Sequence, residues 1–354
     1  MRSLVNDLWK EYKKNLGFDS DVEISEILYD AADGVEASFD LMEMLEGKYI
    51  LHLTRRFPVY REEFVHFLLM HEFTHLYDFL TYSGPKPGIE DLKERDRREE
   101  NVNTASDKKI FGTYGEINLP EKTSGDNPFE GDAGKRLFDY MNTYSEFHAC
   151  QTAFKDIIRQ LKPGTEIDMD KNQVPGPFRD ISIKQMLGSC LRRAHAAYRE
   201  FTVLLLPQVF VIYFRQVMYL FGYLSYFDNA RDILSKSLDV LQISGKEDYY
   251  VLFEELKKKN IDEILKYSNK IYSDSYVPFV KSFIRSHYDP SLYTEEELDQ
   301  ITPDNYHDFV ETITNRKGGR LWSGRVSPVY GVNDVNKAYR PVDPETIRKM
   351  IGRK

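Results

Sequence analysis

The sequence predicts a predominantly helical α+β protein, with a small sheet beside one motif-bearing helix and a helical C-terminal half. Three observations carry this expectation. Apolar residues recur at helical spacing almost without a break from residue 182 to about 286. One short segment, Lys48 to Phe57 ("KYILHLTRRF"), alternates and is rich in β-formers. Turn-forming clusters, "YSGPKPG" and "LPEKTSGDNPFEGDAG", punctuate the rest. The 354 residues suffice to bury a sizeable core.

Taken in order, residues 3 to 16 form an amphipathic pattern with Leu4, Leu8, Trp9 and Tyr12 on one side, hence a first helix. Residues 21 to 47 read as mixed short elements. The strand at Lys48–Phe57 follows, placed as an edge strand that holds an extended peptide by main-chain hydrogen bonds. Pro58 ends it, and a helix runs from about Arg61 to Tyr82. Residues 83 to 133 are dense in charge and then in turn formers, and read as an insertion, a lobe or a lid. Helix resumes near Lys135 in "KRLFDYMNTYSEFHACQTAFKDIIRQL", and residues 162 to 178 form a second long loop. Asp168 and Asp170 in that loop lack the Gly and closing Glu of a calcium loop. Beyond 182, breaks are expected near Pro207, near Asp228 and at "SGKED", and "NIDEILKYSNKIY" resembles a solvent-facing helix. The expected domains are 1–161, 179–287 and a basic, aromatic-containing extension at 288–354.

Composition narrows the class. Charged residues are 30%, aromatics 14%, and the net charge is -9, which fits a folded chain and not a disordered one. Cys150 and Cys190 are the only cysteines and have no CxxC partner, so a disulfide scaffold or sulfur-bound zinc is not expected and a reducing compartment is. The N-terminus lacks the apolar run of a secretory signal, so the expected location is cytoplasmic. Residues 201 to 227 are long enough to span a bilayer, but Pro207, Arg215 and two glutamines favour a buried helix pair broken at Pro207.

The chemistry concentrates in "FVHFLLMHEFTHLYDFL". On a helix, His71 and His75 stand one turn apart on one face, their β-carbons about 6 Å from each other. Two neutral imidazoles so spaced can share one Zn²⁺. Glu72, one position on, suits a general base acting on a water beside the metal: the H-E-x-x-H arrangement. His66 falls off that face and reads as structural, as does His52 in the strand. Asp78 shares the face of His75; it could hydrogen-bond a ligand imidazole, or lie on the surface late in the helix.

A catalytic zinc takes three protein ligands and keeps one position open. A third His would fall at position 81, which is Thr81, so the metzincin pattern is absent. The best third ligand is Glu146, a carboxylate among Phe138, Met141, Phe147 and Ala149, where a cation gives a reason for its burial. Glu90, Glu99 and Glu100 compete, although their charge run reads first as a solvated face. His148, Tyr144, Tyr140 and His195 remain open as donors to a developing oxyanion.

"HEFTH" followed by a second helix carrying E-x-x-A resembles the gluzincin metallopeptidases, and within them the ImmA/IrrE type, over roughly residues 20 to 160. The resemblance implies His71, His75 and Glu146 as zinc ligands, Glu72 as the general base, and a peptide-bond hydrolase with an edge strand beside its cleft. The chain departs from that family in the 70 residues between His75 and Glu146, where a much shorter loop is usual.

The expected function is therefore zinc-dependent hydrolysis of a peptide bond in a protein or peptide substrate, intracellular and regulatory, with the helical half restricting the substrate. The alternatives are a catalytically inactive H-E-x-x-H protein with a structural metal, and a helical scaffold without metal. A fourth protein ligand such as Asp78 or His148 would favour the structural role. The tail from Asn315 holds ten Lys/Arg against three Asp/Glu and could meet nucleic acid or an acidic partner. Trp322, Tyr330 and Tyr339 favour its packing along the body instead.

Overall fold

The computed structural model describes residues 2–31, 35–88, 132–161, 166–177, 179–204, 207–240, 246–302 and single positions from 305 to 316. Most of the expected insertion, with Glu90, Glu99 and Glu100, and the tail with Trp322, Tyr330 and Tyr339 lie outside the described residues. Helix α1 (Arg2–Leu16) buries Val5, Trp9 and Tyr12, at helical spacing, and stops at Gly17, whose φ of 61° suits glycine. The Trp9 indole donates to the Val22 carbonyl at 2.9 Å, so the chain leaving α1 is tied back onto it.

Three short strands follow: β1 (Glu26–Leu28), β2 (Ala37–Phe39) and, after helix α2 (Leu41–Leu45), β3 (Ile50–Leu53). The Asp40 carboxylate caps α2 by accepting from the Met42 and Glu43 amides. Sheet order is β1-β3-β2, with β1 parallel and β2 antiparallel to β3. The strand expected at the edge is therefore central. Its alternation buries Leu51 and Leu53 completely, and its hydrogen-bonding edges are taken on both sides. Among the described residues, the edge strand beside the motif helix is β2.

Helix α3 (Glu62–Thr81) carries the motif and closes a first hydrophobic cluster with α1 and the sheet, centred on Trp9, Leu51, Phe57, Leu69 and Phe73. Helix α4 (Asp132–Tyr140) leads through a π-helical turn (Met141–Ser145) into α5 (Glu146–Gln160). The loop read at 162–178 contains β4 (Gln173–Val174), which pairs antiparallel with β5 (Ile181–Ser182). Helices α6 (Ile183–Leu204), α7 (Pro207–Leu224), α8 (Ala230–Val240), α9 (Lys246–Lys258), α10 (Ile261–His287) and α11 (Glu295–Asp299) follow among the described residues.

The α6 and α7 helices pack as the expected buried pair, with Pro207 at the first position of α7, where its missing N–H costs nothing. No helix of the described residues is long and apolar enough to cross a membrane. Two expectations fail in this half. A break at Lys259 (φ 57°) and Asn260 separates α9 from α10. The segment read as solvent-facing, 260–272, buries Ile264, Leu265, Ile271 and Tyr272, because α10 packs against α9, α4 and the π turn. The second cluster, around Phe154, Phe201, Tyr213, Phe221 and Tyr276, fills this half. Helix α5 serves both clusters, with Ala153 in the first and Phe147, Cys150 and Phe154 in the second.

Candidate metal centre

The α3 helix is buried on two sides. Leu69, Phe73 and Leu76 enter the first cluster, while His71, His75 and Asp78 turn toward α5. The two imidazoles bring their Nε2 atoms within 3.1 Å of each other, with the rings nearly perpendicular at 82°. Each Nδ1 points the other way. His75 Nδ1 meets Ser145 Oγ at 2.8 Å, and Cys150 Sγ lies 3.8 Å from His71 Nδ1. With both Nδ1 atoms engaged on their outer sides, both Nε2 atoms converge inward.

The third member arrives from α5. A π turn widens the helix by one residue per turn. Here Asn142 Nδ2 donates to the Phe138 carbonyl at 2.9 Å, and the Thr143 hydroxyl donates to the Asp139 carbonyl. These side chains occupy carbonyls four residues back, which a regular helix would fill with its own amides. The turn ends with Ser145 and Glu146 both addressing α3. Glu146 Oε2 lies 3.3 Å from His75 Nε2 and 3.6 Å from His71 Nε2. The His71, His75 and Glu146 ligand atoms thus form one cluster that could hold a metal ion.

Two observations test the fit. Atoms held tetrahedrally about 2.0–2.1 Å from one ion would stand roughly 3.3–3.4 Å apart, close to the three separations seen. In addition, Glu146 Oε2 is buried without a hydrogen-bond partner, which is costly unless something else fills that role. Burial pushes the Glu146 pKa up, but His75 and Arg215 outweigh it and hold the carboxyl well below the usual range. A buried carboxylate kept ionised, with a bare oxygen aimed at two imidazoles, is a suitable donor set for a divalent cation.

Glu72 lies beside this cluster. It is buried, and burial is the main reason its pKa is pushed up to about 8; Glu146 adds to the rise, while His71, Arg215 and the amide of Phe39 oppose it. Phe39 ends β2, so the edge strand of the sheet reaches the Glu72 carboxylate through the Phe39 amide. A carboxyl poised near neutrality can both accept and return a proton at physiological pH.

The helical half contributes residues that sequence reasoning missed. Arg215 Nε lies 3.1 Å from Glu146 Oε1, and Arg215 Nη2 donates to Asn142 Oδ1 at 2.5 Å. Tyr219, one turn later on α7, meets the His71 ring edge-on at 5.5 Å, and burial followed by Glu146 holds its hydroxyl pKa well above the ordinary value. Gly222 lets α7 come this close, since a Cβ there would stand 2.5 Å from the Phe147 carbonyl oxygen and 2.6 Å from Cys150 Cβ. The available signal was Arg215 itself, one cation in an apolar helix, with Tyr219 four positions on.

The remaining candidates fall elsewhere. Asp78 is fully buried and pairs with His148 Nδ1 at 2.9 Å, not with a ring of the cluster, so it does not orient His75; Ser145 takes that position. Neither Asp78 nor His148 joins the ligand group. Tyr144 lies against the His148 ring at 5.4 Å and stacks on Tyr140. His66 Nδ1 meets Asp156 Oδ2 at 2.8 Å, joining α3 to α5, and His52 bridges Asp30 and Glu43. His195 sits half-buried on α6, its pKa lowered by burial and then by Arg199. No family model, curated protein or solved structure matches this chain.

Proposed function

We propose that the protein is a zinc-dependent metallopeptidase that hydrolyses a peptide bond in a protein or peptide substrate. The observation that carries this reading is the bare, buried Glu146 Oε2 facing two imidazole nitrogens, with Glu72 alongside. Two imidazoles and one carboxylate form a donor set that suits zinc and leaves a position open. His71 Nε2, His75 Nε2 and Glu146 Oε2 would hold the ion. When bound, it supplies Lewis acidity, polarising a carbonyl and acidifying a water.

The chain's own groups do the rest. Glu72 accepts a proton at its carboxylate as water attacks the peptide carbonyl, and returns it to the leaving amine. The antiparallel edge of β2 offers main-chain groups to an extended peptide, and Phe39 places that edge next to Glu72. Asp78 and His148 satisfy each other, which supports an open fourth position over a structural site closed by protein ligands.

The test pairs metal content with hydrolysis of a fluorescence-quenched peptide library. The purified protein should carry close to one equivalent of zinc; less than a tenth would overturn the reading. Glu72→Gln should retain the metal and lower hydrolysis about 10²- to 10⁴-fold. Undiminished hydrolysis would remove Glu72 from the chemistry. Glu146→Ala should weaken zinc binding severely, and unchanged affinity would point to another carboxylate.

A further inference from the structure

The ligand cluster is closed in. The side chains of His71, His75 and Glu146 keep 11%, 13% and 8% of their surface exposed. Arg215, which touches Glu146, keeps 42%. Its Nε atom is buried, so that exposed surface belongs to the rest of the side chain, the outer part of the guanidinium included. Arg215 is thus the charged group at the centre most open to an arriving molecule.

Its setting is built and not incidental. Glu146 Oε1 lies against Nε, and Asn142 Oδ1 accepts from Nη2. Asn142 is itself fixed through Nδ2 to the Phe138 carbonyl. This leaves a fixed, planar cation with outward N–H donors, the geometry that receives a carboxylate through two parallel hydrogen bonds.

Charge points the same way. Among the described residues, the charged groups acting on the cluster include Glu72 from α3, Glu146 from α5 and Arg215 from α7. With a divalent ion aboard, Arg215 offsets Glu146, and even a fully ionised Glu72 leaves the centre net positive. Such a centre attracts an anion.

We infer that Arg215 receives a carboxylate of the substrate, so that the centre acts on peptides carrying a carboxylate close to the cleaved bond. This rests on reading the centre as a peptidase. The carboxylate comes either from the peptide's C-terminus or from an Asp or Glu side chain, and the test separates the two. It also gives the helical half a task, since α7 supplies the specificity of a site whose metal ligands lie on α3 and α5.

The experiment compares matched peptides differing only in a free or amidated C-terminus, or in Glu against Gln beside the cleaved bond. They are hydrolysed by the wild type, Arg215→Lys and Arg215→Met. In parallel, a short N-acetylated dipeptide with a free carboxylate, and its amide, are titrated calorimetrically into the zinc-loaded Glu72→Gln protein and into metal-free protein. One of the two carboxylates should lower KM about 10- to 100-fold in the wild type. Arg215→Met should erase that preference with a smaller change in kcat, and Arg215→Lys should restore part of it. The dipeptide acid should bind more tightly than its amide only while Arg215 is present. Equal KM for acid and neutral peptides, or a preference that survives Arg215→Met, overturns the inference and leaves the peptidase reading intact. Failure to hold zinc or to cut any peptide overturns the peptidase reading itself. If Arg215→Met does not fold, the acid-against-amide comparison on the wild type still decides.

Discussion

Asp78 is fully buried and its carboxylate meets His148 Nδ1 at 2.9 and 3.1 Å. Removing one partner of such a pair leaves the other without its hydrogen bond. Asp78→Ala should therefore cost about 2 kcal/mol in urea unfolding, while zinc affinity stays within about threefold. A tenfold loss of affinity would mean that the pair steadies the ligands after all. His66 allows a test in pH. Its hydrogen bond to Asp156 is the main cause of its raised pKa. The folded value thus exceeds the unfolded one of about 6.5. Its contribution to stability is complete below that pH and is lost as pH rises through the folded value. Asp156→Asn should accordingly destabilise more at about pH 5.5 than at about pH 8.5. An equal cost at both would show that the imidazolium form adds nothing.

At the scale of elements, the centre depends on two local features of the helices. The π turn at Met141–Ser145 turns Ser145 and Glu146 toward α3, and Gly222 allows α7 to lie against α5. Gly222→Ala should cost about 1–3 kcal/mol from overpacking. It should also weaken zinc binding, since a Cβ pressing on Phe147 and Cys150 displaces the turn of α5 that bears Glu146. Thermal unfolding and a competing chelator measure the two effects; loss of stability with unchanged zinc affinity would mean that α5 does not shift. The sheet teaches a related point. The alternation of Ile50–Leu53 made β3 legible as a strand, but its neighbours β1 and β2 are three residues each, too short to leave a periodic signal.

For the molecule as a whole, α3, α5 and α7 belong to two hydrophobic clusters and converge on one small group of polar side chains. An ion bound there by the folded state alone would stabilise the whole. At free zinc a hundredfold above Kd the gain is about 2.7 kcal/mol. Chelation should then lower the Tm of the wild type and leave that of His75→Ala unchanged. A wild-type Tm indifferent to chelator would argue against a metal that couples the two clusters.

The sequence by itself determined that His71 and His75 share a face with Glu72 beside them, because the α-helix fixes the angle between residues one and four positions apart. It also pointed to Glu146, since a carboxylate among apolar neighbours needs a counter-charge. It marked 201–227 as a buried pair, through Pro207 and Arg215. Only the tertiary structure decided that Ser145 and not Asp78 holds His75, that β2 and not β3 is the edge strand beside α3, and that Arg215 reaches Glu146. These are contacts between residues tens of positions apart in sequence, or between strands too short for a pattern. They follow from how helices cross and which edges remain unpaired, and neither is written in local periodicity.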